Sequence, residues 1–255
     1  MQMEGHLVVD TDRIITVSNS YAKLLQETFM TDRKIDVTYN GISDEWKPEA
    51  GIASMAISEE GLSTERPIAL FVGRVADMKG IRAIIKAVES KDTGYQVVIV
   101  GEVSANTEAQ RNAWDVTKAL VRLEKEYPER LRWVGFRDGD KLKNLYASAT
   151  VGLMPSTHEP FGIVALEHMA MGVPLICSEV QGLGEIVNGK EECAMIIRPK
   201  AEDIIDALEE MKDPLKCCVL SGLGLERVKD FTWEETAEKT VEIYKETINA
   251  TRNID

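Results

Sequence analysis

The chain of 255 residues lacks long hydrophobic runs and an excess of basic charge. No apolar stretch approaches the ~18 residues that a membrane-spanning helix requires. The 43 Asp and Glu side chains outnumber the 30 Lys and Arg side chains, which gives a formal charge of −13 at pH 7. Such a negative field opposes binding to nucleic acid and to anionic lipid surfaces. We therefore expect a globular protein with no nucleic-acid partner and no membrane association.

Cysteine is also scarce. The four cysteines are Cys177, Cys193, Cys217 and Cys218. They lack the Cys-x-x-Cys spacing of zinc sites, and an adjacent pair cannot easily bridge to itself. His158 has no second histidine one helical turn away, so zinc is not expected there, and His168 fits a packing role on a helix. Because Met1–Asp10 lacks a signal-peptide pattern, we expect a reduced compartment, the cytoplasm.

Two common nucleotide-binding motifs are missing as well. The loop 73–80 does not contain the Gly-x-x-x-x-Gly-Lys-Ser/Thr sequence of a P-loop. Gly101-Glu102 lacks the second glycine of a dinucleotide fingerprint, and Gly182–Val187 lacks the third. These absences disfavour a P-loop NTPase and a nicotinamide-dependent dehydrogenase.

What the chain does have is a regular alternation of apolar strands and helices from Ile68 onward. The strands are predicted at 68–73, 95–101, 131–135, 151–154, 173–178 and 194–198. The helices are predicted at 80–89, 106–127, 140–147, 183–187, 201–211, 214–229 and 233–248, with one more between Gly162 and Gly172. Strands that are apolar throughout are typical of a parallel sheet covered on both faces, so we predict a Rossmann-like α/β fold. A strand, a helix and a second strand precede it at 13–17, 20–29 and 34–39.

In open parallel sheets, ligands bind at the carboxyl ends of the strands. The loops predicted there are 73–80, 101–107, 136–140, 156–162 and 178–185. In the first of them, Arg74 and Lys79 lie five residues apart beside a helix start. A guanidinium fork, an ammonium and free helical amides suit phosphate oxygens, although an ordinary solvated loop would carry the same residues.

The last two loops carry carboxylates. Glu159 lies at the mouth of a helix, and Glu167 lies eight residues further on, inside it. Together they are suited to a polyhydroxylated ligand. Phe161 either stacks on that ligand or anchors its loop. Gly182–Glu185 precedes a short helix, where its amides meet a phosphate and Glu185 faces sugar hydroxyls, or where it forms only a capping turn.

These motifs in this order resemble the nucleotide-sugar-binding half of GT-B glycosyltransferases, specifically the group 1 enzymes and the glycogen or starch synthases. The segments that carry the resemblance are Ile15–Ser18, Tyr39–Ile42, Trp46–Pro48, Phe71–Val75, Lys79–Gly80, Val98–Gly101, Trp133–Gly135, Pro155–Ser156, Glu159–Gly162, Leu166–Glu167, Gly172–Pro174, Gly182–Glu185 and Phe231–Trp233. The chain departs from the family where Gly101-Glu102 replaces a commoner Gly-x-Gly and where Thr150 replaces an acidic residue.

The resemblance implies a role for each candidate residue. Arg74 and Lys79 would be catalytic, holding the donor diphosphate and neutralising the leaving group, with the catalytic Glu159 beside the transferred sugar. The implied donor-binding residues are Gly73, Phe161, Gly162, Glu167, Gly182 and Leu183, and among these Glu167 would bind the ribose. The implied reaction is hexosyl transfer with retention from a nucleoside diphosphate sugar, ADP-glucose or UDP-glucose first, with no metal and no cofactor.

The resemblance also implies a domain organisation. Residues 1–48 would be the end of an acceptor-binding domain, 49–67 a mostly irregular linker with at most one short helical turn, 68–230 the donor-binding domain, and 231–255 a helix that returns toward the N-terminal part. The half that binds a glycan or small-molecule acceptor would be missing, so we expect a fragment that binds donor but transfers poorly alone. Two alternatives stay open: a non-catalytic nucleotide-sugar-binding subunit, and a sugar-nucleotide epimerase-like enzyme.

Overall fold

The computed structural model describes residues 11–48, 53–103, 110–189 and 191–252. The expectations for Met1–Asp10, for the end of the loop 101–107 and for the start of the helix at 106 lie outside these residues. The described chain begins with a small parallel βαβ unit. It consists of β1 (Ile14–Thr16), α1 (Asn19–Phe29) and β2 (Ile35–Val37), and Ile14 of the first strand lies opposite Ile35 of the second.

Six further strands form one parallel sheet. They are β3 (Ile68–Val72), β4 (Gln96–Val100), β5 (Leu131–Gly135), β6 (Val151–Met154), β7 (Leu175–Cys177) and β8 (Met195–Ile196). Their order across the sheet is β5-β4-β3-β6-β7-β8, so the chain winds one way from β3 and then the other way from β6. This order confirms the predicted parallel α/β sheet and places its topological switch point between β3 and β6.

Helices cover both faces of this sheet. They are α2 (Ala53–Glu60), α3 (Ile81–Ser90), α4 (Gln110–Glu126), α5 (Gly139–Ser148), α6 (Ile163–Ala170), α7 (Gln181–Val187), α8 (Ala201–Glu210), α9 (Pro214–Arg227) and α10 (Trp233–Arg252). Successive strand residues point to opposite faces, so Phe71 packs in the core under α3, α4 and α8, whereas Leu70 packs in the core under α2 and α5. Both cores exclude water, which is why the strand sequences are apolar throughout.

The segment 49–67 is more ordered than expected. We expected at most one short helical turn, but α2 runs from Ala53 to Glu60, and its Ala56 is buried in the core shared with α5. Glu60 at its end accepts two hydrogen bonds from Arg137, of 2.5 and 2.7 Å. Burial of Ala56 and this ion pair hold the helix in place. Arg137 and the residues of α5 lie far from α2 in the sequence, so these contacts could not be predicted.

The C-terminal helix contacts the N-terminal segment. Gly41 lies so close to the start of α10 that a Cβ atom there would be 2.2 Å from the backbone nitrogen of Trp233. The Thr236 hydroxyl donates to the carbonyl of Tyr39 at 2.6 Å. None of the helices in the described ranges is long and apolar enough to cross a membrane.

Candidate functional site at the switch point

The loops that follow β3 and β6 meet at the centre of the sheet edge. Because β3 and β6 are neighbours whose chains continue toward different helices, a crevice opens between their carboxyl ends. Backbone hydrogen bonds link the two loops, since the amides of Thr157 and His158 both donate to the carbonyl of Met78, at 2.9 and 3.3 Å. These hydrogen bonds hold the two loops against each other.

Two glycines allow the loop after β3 to lie where it does. A Cβ atom on Gly80 would be 1.8 Å from the carbonyl oxygen of Pro155, in the loop after β6. A Cβ atom on Gly101 would be 1.9 Å from the carbonyl oxygen of Gly73. Gly73, Gly80 and Gly101 all have positive φ, which glycine adopts without steric cost. The glycine spacing is thus explained by close packing of the loops.

Lys79 and Glu159 come together across the crevice. The Lys79 Nζ lies 2.6 Å from Glu159 Oε2, and both side chains are mostly buried. The backbone amide of Glu159 donates to the side-chain Oε1 of Gln181 at 2.7 Å. Gln181 itself has φ of 38°, a left-handed conformation rare outside glycine, so its surroundings hold it there. The sequence did not single out Gln181, because side-chain bonds to distant amides leave no local pattern.

Arg74 differs from Lys79 although it belongs to the same loop. It is exposed, and its Nη2 lies 3.9 Å from the sulfur of Met78. Within the described ranges it forms no ion pair with a carboxylate. The crevice therefore has one cation already neutralised by a carboxylate and one cation open to solvent.

Glu167 lies on α6, where the Tyr146 hydroxyl donates to its Oε2 at 2.6 Å. Burial raises the pKa of Glu167, and the hydrogen bond from Tyr146 opposes part of that rise because it favours the charged form. Burial also raises the pKa of Tyr146 well above its ordinary value. Tyr146 had no special place in the sequence, since one tyrosine on a helix is usually a core residue. The next residue, His168, is fully buried, and burial lowers its pKa to about 4, in keeping with packing.

Phe161 anchors its loop with its ring. The ring is buried, stacks on Tyr39 with centroids 5.9 Å apart, and meets Phe231 edge-on at 6.0 Å. Among the described residues, the backbone amides of Phe161 and Gly162 donate to no protein acceptor. Of the two interpretations of Phe161, the structure favours anchoring by the ring, and in the described part of the chain these two amides have no protein acceptor.

Gly182 and Leu183 lie at the start of α7, directly against the loop 155–162. A Cβ atom on Gly182 would be 2.2 Å from the carbonyl oxygen of Pro160, so only glycine allows the two loops to touch. The amides of both residues belong to the first turn of the helix, where they have no intrahelical acceptor. The contact with Pro160 places these amides next to the loop that carries Glu159.

Glu185 belongs to the segment for which the sequence left two interpretations, contact with a ligand or a capping turn, and donors of the protein occupy its carboxylate. Its carboxylate accepts from the backbone amides of Asn19 and Ser20 at 3.0 and 2.5 Å, from both of their side chains, and from the Tyr39 hydroxyl at 2.8 Å. The carboxylate thus caps the N-terminus of α1, where the helix dipole favours negative charge. The sequence did not indicate this partner segment, because Ser20 lies 165 residues from Glu185 along the chain.

Comparison with known proteins gives a consistent result. A model of the family described as "Glycosyl transferases group 1" matches residues 56–216. An uncharacterized glycosyltransferase of Methanocaldococcus jannaschii is 29% identical over 95% of this chain and 62% of its own length.

Two solved structures have the same fold. Sucrose-phosphate synthase of Thermosynechococcus elongatus has a TM-score of 0.78 and 27% identity, over 98% of this chain and 61% of that one. HepE of Anabaena, solved with UDP and glucose, has a TM-score of 0.77 and 18% identity, over 96% of this chain and 66% of that one. The chain thus spans no more than about two thirds of each of these proteins.

Proposed function

Because this chain belongs to the group 1 glycosyltransferases, we propose that it binds a nucleoside diphosphate sugar at the switch point, as the donor for hexosyl transfer with retention. The observation that carries the proposal is the juxtaposition of Lys79, Glu159 and the exposed Arg74 at one crevice. The family is the same as the one that the sequence motifs resemble. UDP bound to HepE, a protein of the same fold, supports a nucleotide ligand.

The two cations suit the diphosphate. When the glycosidic bond to the nucleotide breaks, negative charge grows on the leaving phosphate, and cations placed in advance stabilise it. Arg74 offers a planar pair of donors from solvent, and Lys79 offers a point charge whose position is set by Glu159. This arrangement supplies positive charge from the side chains of the protein itself, so the proposed reaction needs no metal.

The carboxylates suit the hydroxyl groups of the donor. Glu159 accepts from Lys79 through one oxygen, and its other oxygen accepts from a hydroxyl of the transferred sugar. Beside it, the amides of Phe161, Gly162, Gly182 and Leu183 donate to sugar or phosphate oxygens. Glu167 accepts from Tyr146 through Oε2, and its other oxygen binds the ribose. Neither carboxylate has to act as an acid, a base or a nucleophile in this scheme.

Calorimetry with a set of ligands tests the proposal. The set contains UDP, ADP, their glucose conjugates and pyrophosphate. We expect at least one nucleoside diphosphate to bind, and Glu167→Gln to weaken that binding by about 1–3 kcal/mol with little effect on pyrophosphate. The matched control is Glu202→Gln, which removes the same charge from an exposed residue of α8. Equal losses of nucleotide and pyrophosphate affinity would contradict a contact between Glu167 and the ribose. If the parent protein binds none of these ligands, the proposal is overturned.

Retention is tested separately by the product. In a protein that also contains the acceptor-binding half, a donor of α configuration and a glycan or small-molecule acceptor should give an α-linked glycoside, which the anomeric proton coupling in NMR identifies. A β-linked product would show inversion instead.

A further inference from the structure

Tyr146 has no assigned role, yet it is the largest fully buried side chain in the described part of the protein. Its ring is held between two other rings. Trp46 meets it edge-on at 5.4 Å, and His168 meets it edge-on at 4.8 Å. Aromatic pairs at these separations are attractive and leave the ring little freedom. The Tyr146 hydroxyl is therefore a donor whose position is set by the core, and it points at Glu167.

We propose that Tyr146 is a positioning residue: its hydroxyl holds the Glu167 carboxylate in the orientation in which the second oxygen binds the donor ribose. This inference rests on the proposed function. A free glutamate loses side-chain conformational freedom when it binds a ligand, and that loss weakens binding. With Oε2 already held by Tyr146, this ordering is complete before the nucleotide arrives. Within the described ranges, no other protein group donates a hydrogen bond to the carboxylate.

The hydroxyl also favours the charged form of the Glu167 carboxylate. Burial raises the pKa of Glu167, and the hydrogen bond from Tyr146 is what lowers it. Tyr146 faces the carboxylate from α5, and the neighbouring His168 on α6 is a buried imidazole whose pKa is lowered to about 4, so it is neutral near pH 7. No lysine or arginine of the described residues pairs with Glu167. Loss of the hydroxyl should therefore raise the pKa of Glu167, and nucleotide binding should weaken more as the pH falls.

The alternative is that the hydrogen bond only satisfies a buried hydroxyl, as most buried hydroxyls require. Tyr95 provides the matched control. It is also almost fully buried, and its hydroxyl donates to the carbonyl of Met211 at 2.9 Å. It directly precedes β4, at the edge of the sheet opposite the crevice. Tyr95→Phe removes the same group, with a similar structural cost, far from the donor.

The experiment compares Tyr146→Phe, Tyr95→Phe, Glu167→Gln and the double variant Tyr146→Phe/Glu167→Gln by calorimetry with UDP or ADP and with pyrophosphate. For Tyr146→Phe we expect nucleoside diphosphate affinity to fall by about 5- to 10-fold while pyrophosphate affinity stays within about 2-fold. The loss should grow as the pH falls, because the pKa of Glu167 is already raised by burial. The double variant should bind no more weakly than Glu167→Gln alone, because both changes remove one interaction.

Other results would overturn the inference in different ways. If Tyr146→Phe binds both ligands as Tyr95→Phe does while Glu167→Gln weakens the nucleotide alone, the hydroxyl has only a structural role. Additive losses in the double variant would contradict action through Glu167. If the parent binds no nucleoside diphosphate, the proposed function fails and the positioning role fails with it.

A second variant covers the case in which Tyr146→Phe does not fold. Incorporation of 3-fluorotyrosine at position 146 keeps the hydroxyl and makes it a stronger donor. We expect affinity equal to or tighter than that of the parent and a weaker dependence on pH. A loss of nucleotide affinity with pyrophosphate binding unchanged would overturn the positioning role.

Discussion

Glu159, in the loop after β6, and Glu185, in α7, are carboxylates at the same edge of the sheet, but their partners differ in kind. Glu159 contacts an ammonium group, Lys79, with one oxygen. Glu185 accepts from amides and hydroxyls of Asn19, Ser20 and Tyr39, so both of its oxygens are occupied by the protein. A ligand that carries phosphate and hydroxyl groups can compete for the partners of Glu159, whereas the partners of Glu185 belong to the start of a helix.

The difference shows that the role of a carboxylate here depends on the segment that faces it. A loop that contains lysine faces Glu159, and the N-terminus of α1 faces Glu185. The first arrangement produces a charge pair at an open crevice. The second joins the N-terminal βαβ unit to α7, next to the same crevice.

The largest effect is expected where the two loops touch, for Gly182→Ala. The new Cβ atom would lie 2.2 Å from the oxygen of Pro160 and 2.7 Å from the Cα atom of Phe161. Both are backbone atoms, so the loops must separate, and we expect a loss of about 3 kcal/mol in the free energy of unfolding. Denaturant unfolding measures it, and nucleotide affinity should fall with it.

Gly222→Ala is the matched control for that change. Gly222 lies in α9, is exposed, and has no atom within 4 Å of the position that a Cβ would occupy. Because alanine is favoured over glycine in a helix, we expect stability to rise by about 0.5–1 kcal/mol. Equal effects of the two substitutions would show that the loops are not in close contact at Gly182.

The second prediction breaks the charge pair on the Glu159 side. Lys79→Ala removes a cation from the proposed phosphate site and leaves Glu159 mostly buried without its partner. We expect nucleoside diphosphate binding to weaken by about 1–3 kcal/mol, as for a lost charge-assisted contact. Calorimetry measures the change for both the nucleotide and pyrophosphate, and both should weaken, unlike the result expected for Glu167→Gln.

The control for Lys79 is Arg82→Ala, one turn further along. Arg82 is exposed and pairs with the exposed Asp77 at 2.7 Å. Exposed pairs contribute little, so affinity should change by less than about 0.5 kcal/mol. If both variants lose the same affinity, the effect comes from general electrostatics and not from contact with phosphate.

The sequence was sufficient to predict the parallel sheet, the family and the loops that carry the candidate residues. Apolar strands predict a buried parallel sheet, and the topology then places the loop of Lys79 beside the loop of Glu159. The sequence was not sufficient to predict which residues form hydrogen bonds with each carboxylate. Tyr146, Gln181 and Ser20 lie 21, 22 and 165 residues from the carboxylate or amide that they contact, and such pairings leave no periodic signal.

The third prediction concerns the contribution of the Glu185 carboxylate to the stability of the fold. Burial alone would raise the pKa of Glu185, but hydrogen bonds from Ser20, Tyr39 and Asn19 outweigh it and lower the pKa below the ordinary 4.5. Such a group stabilises the fold fully above its ordinary pKa, and this contribution is lost as the pH falls through the lower value of the folded state. Glu185→Gln should therefore cost about 1–2 kcal/mol near neutral pH, with a smaller cost in acid. Urea unfolding across this range measures it, and a cost that does not depend on pH would contradict the charge as its origin.

The smallest effect is expected for Tyr39→Phe, which separates two contributions of one side chain. The ring stacks on Phe161 and should remain in place, whereas the hydroxyl that donates to Glu185 at 2.8 Å is lost. Burial, followed by the hydrogen bond to Glu185, raises the pKa of Tyr39 to about 12, so the hydroxyl is a neutral donor throughout the usual range. Since the other donors to Glu185 remain, we expect a loss of about 0.5–1 kcal/mol in stability and no change in nucleotide affinity.

Tyr21→Phe is the control, because its ring meets His158 edge-on at 6.0 Å and lies near the same loop without contacting Glu185. A loss of nucleotide affinity in Tyr39→Phe, absent in Tyr21→Phe, would show that the α1 contact also shapes the proposed nucleotide site and that the two carboxylates act together.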